Sequence, residues 1–292
     1  MAIERFQVSD GQAGPYGVAV GPDGGVWFTL VHSGEVGRLA ADGSVRRFGP
    51  AAPESGPAVI TAGPDGALWF TRMRDHRIGR IGTDGRECSF GLPTEGAGPY
   101  GITAGPDGAL WFTEPNAGRI GRITVDGEVT EHPLPVDGGF PSMITAGPDG
   151  ALWFTLNQAH AVGRITVAGE VTVHPLPTAG AAPVGIARGG DGALWCVEIG
   201  AGQVARIAPD GTVVEHPLPD RAARPHAIAA DPQGRLWFTE WAGNRIGSLT
   251  PDGAYRGYDL PVPGAEPHGI AVGPDGVVHV ALEIGEIVRL TS

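Results

Sequence analysis

The chain has 292 residues and a formal net charge of −12 at neutral pH. This negative field repels phosphate backbones, and no cluster of lysine and arginine interleaves with aromatic residues, so a nucleic-acid partner is not expected. The first residues lack the basic flank and apolar run of a signal peptide, and no apolar stretch reaches the roughly 18 to 20 residues that span a bilayer. We therefore expect a cytoplasmic protein with no membrane association.

A nine-residue pattern recurs at a fixed interval along the whole chain. The copy at residues 63–71 reads Gly-Pro-Asp-Gly-Ala-Leu-Trp-Phe-Thr, and its tryptophan returns every 42 residues. The series comprises Trp27, Trp69, Trp111, Trp153, Trp195 and Trp237, with His279 in the seventh place. A period of about 40 to 45 residues with several short strands per unit is typical of propeller blades. The pattern predicts an all-β protein, with one seven-bladed β-propeller domain over residues 1–292.

The third copy shows the elements expected in every unit. Residues 101–104 form a short first strand, a Gly-Pro-Asp-Gly turn follows, and residues 109–114 form a second strand. A turn leads to a third strand over residues 119–123, and Asp126-Gly127 predicts a hairpin into a fourth strand over residues 128–132. No segment has an apolar period near 3.6 residues, so essentially no helix is expected.

The two ends of the chain predict how the ring closes. The last unit stops after its third strand, at Val288 to Ser292, whereas Ile3 to Val8 has the phase of a fourth strand. We predict four-stranded blades in which the N-terminal strand completes the last blade. Such closure removes a free sheet edge between the first and last blades.

Positions that differ between the copies are free to serve a binding or catalytic site, because positions that serve the fold recur. The loop leading into each first strand, which we call the approach loop, carries a recurring proline followed by a variable residue. These variable residues are Tyr16, Ala58, Tyr100, Ser142, Val184, His226 and His268. In a propeller the approach loops surround one mouth of the central channel, so the sequence predicts a polar ring that binds or transforms a small molecule.

The seventh unit adds acidic residues to this ring. Glu266 precedes His268 by two residues and faces the same side of an extended segment. Glu283 follows the second strand, whose end coincides with the start of the antiparallel first strand. Mg²⁺ takes oxygen ligands, often one or two carboxylates, and histidine can accept a proton at neutral pH. The unit therefore predicts a metal-assisted acid/base site.

Other polar residues receive simpler interpretations. Three glutamates that follow a repeat tryptophan by three positions either line the channel as a second acidic ring or pair with nearby arginines. They are Glu114, Glu198 and Glu240. We expect His132 and His174 to be solvated on outermost strands, and we assign no function to histidines in turns. The turn histidines are His32, His76 and His160.

Four motifs make the chain resemble the virginiamycin B lyase (streptogramin B lyase) family. They are Gly-Pro-Tyr-Gly at 14–17, Arg-Pro-His-Ala-Ile at 224–228, Leu-Trp-Phe-Thr-Glu at 236–240 and Glu-Pro-His-Gly-Ile at 266–270. The resemblance covers essentially the full length. It implies a monomeric seven-bladed propeller that uses Mg²⁺ to inactivate type B streptogramins and so gives antibiotic resistance. These cyclic depsipeptides are opened at their ester by elimination, without water.

The resemblance also implies roles for particular residues. His268 is the expected proton acceptor, Glu266 and Glu283 are the expected Mg²⁺ ligands, and His226 is an expected substrate contact. Aligning Glu283 needs a one-residue gap, and His279 replaces tryptophan in the strand before it. Tyr16 and Tyr100 could hold aromatic groups of the antibiotic.

Two other classes of function stay open. One is a non-catalytic propeller module that uses one face for a partner, for which His268→Ala and chelation would change nothing. The other is a metal-dependent lactone hydrolase. Product analysis separates this enzyme from the lyase, because hydrolysis leaves a free hydroxyl and incorporates solvent oxygen, whereas elimination leaves an unsaturated residue.

Overall fold

Seven four-stranded antiparallel sheets form the protein, which confirms the predicted seven-bladed propeller. The structure is a computed structural model and describes residues 1–49 and 52–291; Ser292, at the end of the predicted last strand, lies outside this range. The first strands of neighbouring blades contact one another around the whole ring, so they line the central channel.

The strands are, in chain order, β1 (Ala2–Gln7), β2 (Pro15–Val20), β3 (Val26–Leu30), β4 (Glu35–Leu39), β5 (Val45–Phe48), β6 (Pro57–Ala62), β7 (Leu68–Arg72), β8 (Arg77–Ile81), β9 (Glu87–Gly91), β10 (Ile102–Ala104), β11 (Leu110–Glu114), β12 (Arg119–Ile123), β13 (Val129–Pro133), β14 (Pro141–Ala146), β15 (Leu152–Leu156), β16 (Ala161–Ile165), β17 (Val171–Pro175), β18 (Pro183–Arg188), β19 (Leu194–Glu198), β20 (Gln203–Ile207), β21 (Val213–Pro217), β22 (Pro225–Ala230), β23 (Leu236–Glu240), β24 (Arg245–Leu249), β25 (Tyr255–Asp259), β26 (Pro267–Val272), β27 (Val278–Leu282) and β28 (Glu286–Thr291). Within the described residues the only helix is a single 3-10 turn, Pro53–Ser55, and no helix there is long and apolar enough to cross a membrane.

The N-terminal strand completes the seventh blade, as predicted. β1 pairs antiparallel with β28, and this sheet has the order β1-β28-β27-β26. Two ion pairs link the paired strands: Arg5 bonds Glu286, and Arg289 bonds Glu4. The two ends of the chain therefore close the ring together.

The repeat tryptophans form the core between neighbouring blades. Each of the six is at most 2% exposed, and Trp69, for example, packs with Leu110 and Phe112 of the following blade. Burying a large aromatic side chain contributes roughly 1.5–3 kcal/mol relative to leaving it exposed. Because the tryptophan recurs in six blades, this contact is repeated at most of the blade junctions.

Each repeat tryptophan also stacks on a ring from the fourth strand of its own blade. In three blades the partner is a histidine, and two of these, His132 and His174, lie at centroid distances of 5.6 and 5.4 Å from Trp111 and Trp153. The expectation that these two histidines are simply solvated was therefore wrong. Their position on an outermost strand suggested exposure, but the indole behind the strand covers one face of each ring.

Candidate functional site

The approach loops hold an unusual backbone conformation at the same point of every blade. The residue before the recurring proline has a positive φ in all seven copies. The values are 67° at Gly14, 59° at Gly56, 62° at Gly98, 52° at Phe140, 47° at Ala182, 51° at Arg224 and 48° at Glu266. This left-handed region costs a non-glycine residue about 1–2 kcal/mol. Glu266 therefore occupies a position where the first three blades have glycine, and such strain clusters at functional sites.

A β-bulge then presents the residue after the proline. In the seventh blade the register of β26 against β27 shifts between Pro267 and Ile270, so His268 lies in the irregular segment. The same shift occurs in five other blades. Bulges of this kind redirect side chains and are frequent beside active sites. In six blades the fold therefore places the variable residue of the approach loop in an irregular segment at the start of the first strand.

Glu266, His268 and Glu283 meet as the sequence predicts. One potential ligand atom from each of the three lies within 4.8 Å of the other two. The His268 Nε2 and Glu283 Oε2 atoms are 2.6 Å apart, and the Glu283 backbone N–H donates to the Glu266 carbonyl at 3.3 Å. That backbone bond holds the two acidic segments side by side. We call these three side chains the acidic–imidazole cluster.

His32 contributes a contact that sequence reasoning missed. Its Nε2 lies 2.9 Å from Oε1 of Glu283, the carboxylate oxygen that His268 does not contact. Burial by itself would raise the pKa of Glu283, but the hydrogen bonds with His32 and His268 outweigh it and lower that pKa. Glu283 is therefore held as a carboxylate between two imidazoles, one of which is His32, a residue for which we expected no function.

A second layer of rings surrounds His268. Its ring centroid lies 4.5 Å from that of Tyr16 and 5.3 Å from that of His226. The Tyr16 and Tyr100 hydroxyls form a hydrogen bond of 2.6 Å. Four of the variable approach-loop residues thus converge from separate blades, as the ring prediction requires.

The protonation of this layer follows from its burial. Desolvation and the neighbouring charge of His268 lower the pKa of His226 to about 3, so its imidazole is neutral at pH 7. Burial raises the pKa of Tyr16 and of Tyr100, so both phenols keep their protons. His226 and Tyr16 can therefore hydrogen-bond a substrate without adding charge near His268.

An apolar groove adjoins this ring on the same face. It has a volume of about 350 Å³, and its lining includes Met73, Tyr100, Phe140, Val184 and His226. Ligand sites are commonly concave and mostly apolar, with a few polar groups that fix orientation. His226 and Tyr100 belong both to the groove and to the ring, so a molecule in the groove would reach the surroundings of His268.

The three buried glutamates that follow a repeat tryptophan are not part of the channel mouth. Glu114, Glu198 and Glu240 are each 0% exposed. Glu240 accepts a 2.7 Å hydrogen bond from Tyr255 of the outermost strand and lies 3.6 Å from Arg245. Pairing with a nearby arginine, one of our two interpretations, therefore fits Glu240. The structural counterpart of Glu240 in the seventh blade is Leu282, so Glu283 lies one position further along.

The fold and this cluster define a β-propeller with a candidate acid/base and cation site at one mouth of its channel. The sequence model described as "Virginiamycin B lyase family" matches residues 1–290. The chain therefore belongs to the virginiamycin B lyase family.

Short segments of the chain are similar to curated relatives. The similarity is 57% identity over 41 residues to the virginiamycin B lyases of Saccharopolyspora erythraea and Streptomyces coelicolor, covering 14% of this chain and 14% of each relative. The virginiamycin B lyase of Bordetella parapertussis is 51% identical over 46 residues, or 15% of its length. These matches therefore span a small part of each relative.

Solved structures match over nearly the whole chain. Virginiamycin B lyase from Staphylococcus aureus has a TM-score of 0.96 and 41% identity, covering 100% of this chain and 99% of that one. A catalytically inactive histidine-to-alanine variant of that enzyme with quinupristin has a TM-score of 0.96 and 40% identity over the same shares. A putative gluconolactonase, at 20% identity and a TM-score of 0.62, shares the fold alone.

Proposed function

We propose that the protein linearises type B streptogramin antibiotics by a Mg²⁺-dependent elimination at their ester bond, and so confers resistance to them. The observation that carries this proposal is the acidic–imidazole cluster: two carboxylates and an imidazole, with ligand atoms within 4.8 Å of one another. Membership of the virginiamycin B lyase family supports the reaction class, a carbon–oxygen lyase. The solved relative with quinupristin supports a small-molecule streptogramin as substrate.

The residues of the cluster suit Mg²⁺. This ion binds oxygen at about 2.0–2.1 Å, so two ligands on opposite sides of it lie about 4 Å apart. Glu266 and Glu283 supply the carboxylates, and a substrate oxygen or water would complete the coordination. Mg²⁺ bound there would supply positive charge to stabilise negative charge that develops on the ester or the adjacent carbonyl.

His268 is the proton acceptor in this proposal. Its Nδ1 is buried with no hydrogen-bond partner among the described residues, whereas its Nε2 lies within the cluster. In this proposal the His268 imidazole takes the proton from the substrate Cα. The electrons of the C–H bond form the new double bond, the bond from Cβ to the ester oxygen breaks, and the carboxylate leaves with that electron pair. The proton remains on the imidazole, so no water enters the product.

Other residues position the substrate beside His268. The neutral imidazole of His226, with its ring centroid 5.3 Å from that of His268, can hydrogen-bond the depsipeptide. Tyr16 covers one side of His268, and the hydroxyl bond between Tyr16 and Tyr100 fixes both phenols. These rings offer flat apolar faces for aromatic groups of the antibiotic.

Product analysis in heavy-oxygen water tests the proposal. Purified protein is incubated with quinupristin, with Mg²⁺ or with EDTA, and the products are followed by mass spectrometry. Elimination predicts a linear product of unchanged mass that carries no solvent oxygen and is absent with EDTA. A product heavier by one labelled water would instead indicate a lactone hydrolase, and intact antibiotic with Mg²⁺ would leave the interaction module as the alternative. The monomeric state and cytoplasmic location also remain proposals, which light scattering and cell fractionation test.

A further inference from the structure

Six blades bury an indole against the same kind of polar partner. In each, the tryptophan ring N–H donates to an aspartate in the turn between the first and second strands, at 2.9–3.2 Å. In five of them, an arginine from the third strand also bonds that carboxylate. The aspartate satisfies a buried ring N–H that would otherwise be costly to leave unpaired.

The seventh blade keeps the aspartate but lacks both donors. His279 takes the place of the tryptophan, and Asp275 takes the place of the aspartate. Among the described residues, Asp275 accepts a hydrogen bond only from the Val277 backbone N–H of its own turn, at 3.1 Å. Arg289 lies opposite His279 in the neighbouring strand but donates to Glu4 instead. The Asp275 carboxylate can therefore accept a further hydrogen bond, where the aspartates of the other six blades accept one from tryptophan.

The imidazole does not reach the place that the indole occupies elsewhere. A Cβ added to Gly21 in the first blade would meet the Trp27 ring at 2.5 Å, whereas the three nearest atoms to one added at the equivalent Gly273 belong to its own turn, out to 3.7 Å. A cavity of about 160 Å³ lies at this junction between the seventh and first blades. We call it the His279 cavity.

The walls of the His279 cavity combine polar and apolar groups. Asp275, His279 and Arg289 line it from the seventh blade, and Val26 and Leu39 line it from the first. His279 is only 7% exposed, and its Nδ1 has no hydrogen-bond partner within the described residues. Apolar cavities of about 150 Å³ are large enough to bind benzene, so this cavity can accept a small ring.

We propose that the His279 cavity binds a small flat aromatic molecule carrying a ring N–H, of the indole class. The ring would lie against Val26 and Leu39, and its N–H would donate to the Asp275 carboxylate, as the indoles of the other six blades do to theirs. Burial and the nearby Arg289 lower the pKa of His279 to about 4, so the imidazole beside the ligand is neutral at pH 7.

The cavity is separate from the proposed catalytic site. His279 lies three residues before Leu282, the last residue of β27, which is about 10 Å at 3.3 Å per residue, and Glu283 lies beyond that end of the strand. The cavity adjoins the sheet in which β1 and β28 pair, where the ring closes. A ligand there would stabilise the closed ring whether or not the protein cleaves streptogramins.

Thermal unfolding and calorimetric titration of the full chain test this inference with indole and benzofuran. Benzofuran has nearly the same shape but no N–H, so it loses a hydrogen bond to a charged acceptor. We expect it to bind about tenfold or more weakly than indole. His279→Trp fills the cavity with the indole side chain found in the other blades, and we expect it to raise the Tm and abolish the response to added indole. His279→Phe is the second variant, which fills the apolar part without a donor.

The result expected is a Tm of the natural chain that rises with indole concentration while the filled variants do not respond. An equal response in the natural chain and in a folded filled variant would overturn the proposal. Equal affinity for indole and benzofuran would overturn the role of Asp275. No response of the natural chain up to the solubility of indole would also overturn the proposal and would mean that the cavity holds water only.

Discussion

Replacing Glu266 with glycine should separate catalysis from stability. Glu266 has a φ of 48°, in the left-handed region where the first three blades have glycine. Relieving this conformation returns about 1–2 kcal/mol, and the greater freedom of glycine in the unfolded chain costs about 0.4–1 kcal/mol. We therefore expect Glu266→Gly to be between unchanged and about 1.5 kcal/mol more stable than the natural chain. Removing one carboxylate beside Glu283 also reduces like-charge repulsion.

The same substitution should nearly abolish streptogramin cleavage. It removes one of the two carboxylates proposed to hold Mg²⁺, and losing a single electrostatic group at a reacting centre costs on the order of 10²–10³ in kcat. The unfolding free energy is measured by denaturant titration, and the rate by mass spectrometry of the linear product. Ala182→Gly is the matched control, because it relieves the same φ, 47°, in another blade without touching the cluster.

Two results would refute this reasoning. If Glu266→Gly lost more than about 1 kcal/mol of unfolding free energy while Ala182→Gly did not, the left-handed backbone at Glu266 would not be what destabilises the natural chain there. If the variant cleaved quinupristin at the natural rate, Glu266 would not be a functional ligand.

Four further predictions follow from the same structure. His268→Ala should lower kcat on the order of 10²–10⁴-fold with an unchanged Tm, as loss of a general base does; natural activity would exclude it as the proton acceptor. His32→Ala should weaken activation by Mg²⁺ about 10–100-fold, as loss of a ligand's hydrogen-bond partner does, and an unchanged Mg²⁺ titration would contradict this. Burial and the Glu131 charge raise the pKa of Glu114 to about 8, so its protonated form contributes stability that is complete below about pH 4.5 and is lost as the pH rises through 8. Glu114→Gln should therefore increase the unfolding free energy more at pH 9 than at pH 4. An increase that does not depend on pH would refute the raised pKa. Deleting residues 1–8 should lower the Tm, because β1 supplies the fourth strand of the last blade, and an unchanged Tm would be incompatible with the observed closure.

The repeat made the fold and most of the site predictable. A fixed interval of 42 residues identified the blades, and the incomplete last unit identified the closing strand. In the third blade the predicted third strand agrees with β12, and the other three differ by one residue at one or both ends. The variable residues after the recurring proline converge because equivalent positions in a closed ring face the same channel mouth.

The parts that sequence reasoning missed depend on contacts between segments that are not neighbours in the chain. His32 lies in the first blade and Glu283 in the last, and only ring closure brings their side chains to 2.9 Å. His132 was expected to be solvated because the alternation along one strand does not reveal the indole of Trp111 behind it. The burial of a side chain on an outer strand thus depends on the whole blade and not on its own strand alone.

The structure shows where the one-residue gap near Glu283 falls. The repeat spacing places Leu282 at the position of Glu240, and the expected role of Glu283 depends on a turn that is one residue shorter. The pairing of Pro267 with Leu282 matches that of Pro225 with Glu240, so the shortening falls after Glu283. Backbone register therefore explains why this carboxylate, and not the buried ones, joins the cluster.

Anomalous X-ray scattering from Mn²⁺, used in place of Mg²⁺, would locate the cation in crystals of the His268→Ala variant with quinupristin. We predict one ion bonded to carboxylate oxygens of both Glu266 and Glu283, with the ester of the antibiotic beside the empty imidazole position. An ion bound elsewhere, or an ester placed away from residue 268, would contradict the proposed site and its chemistry.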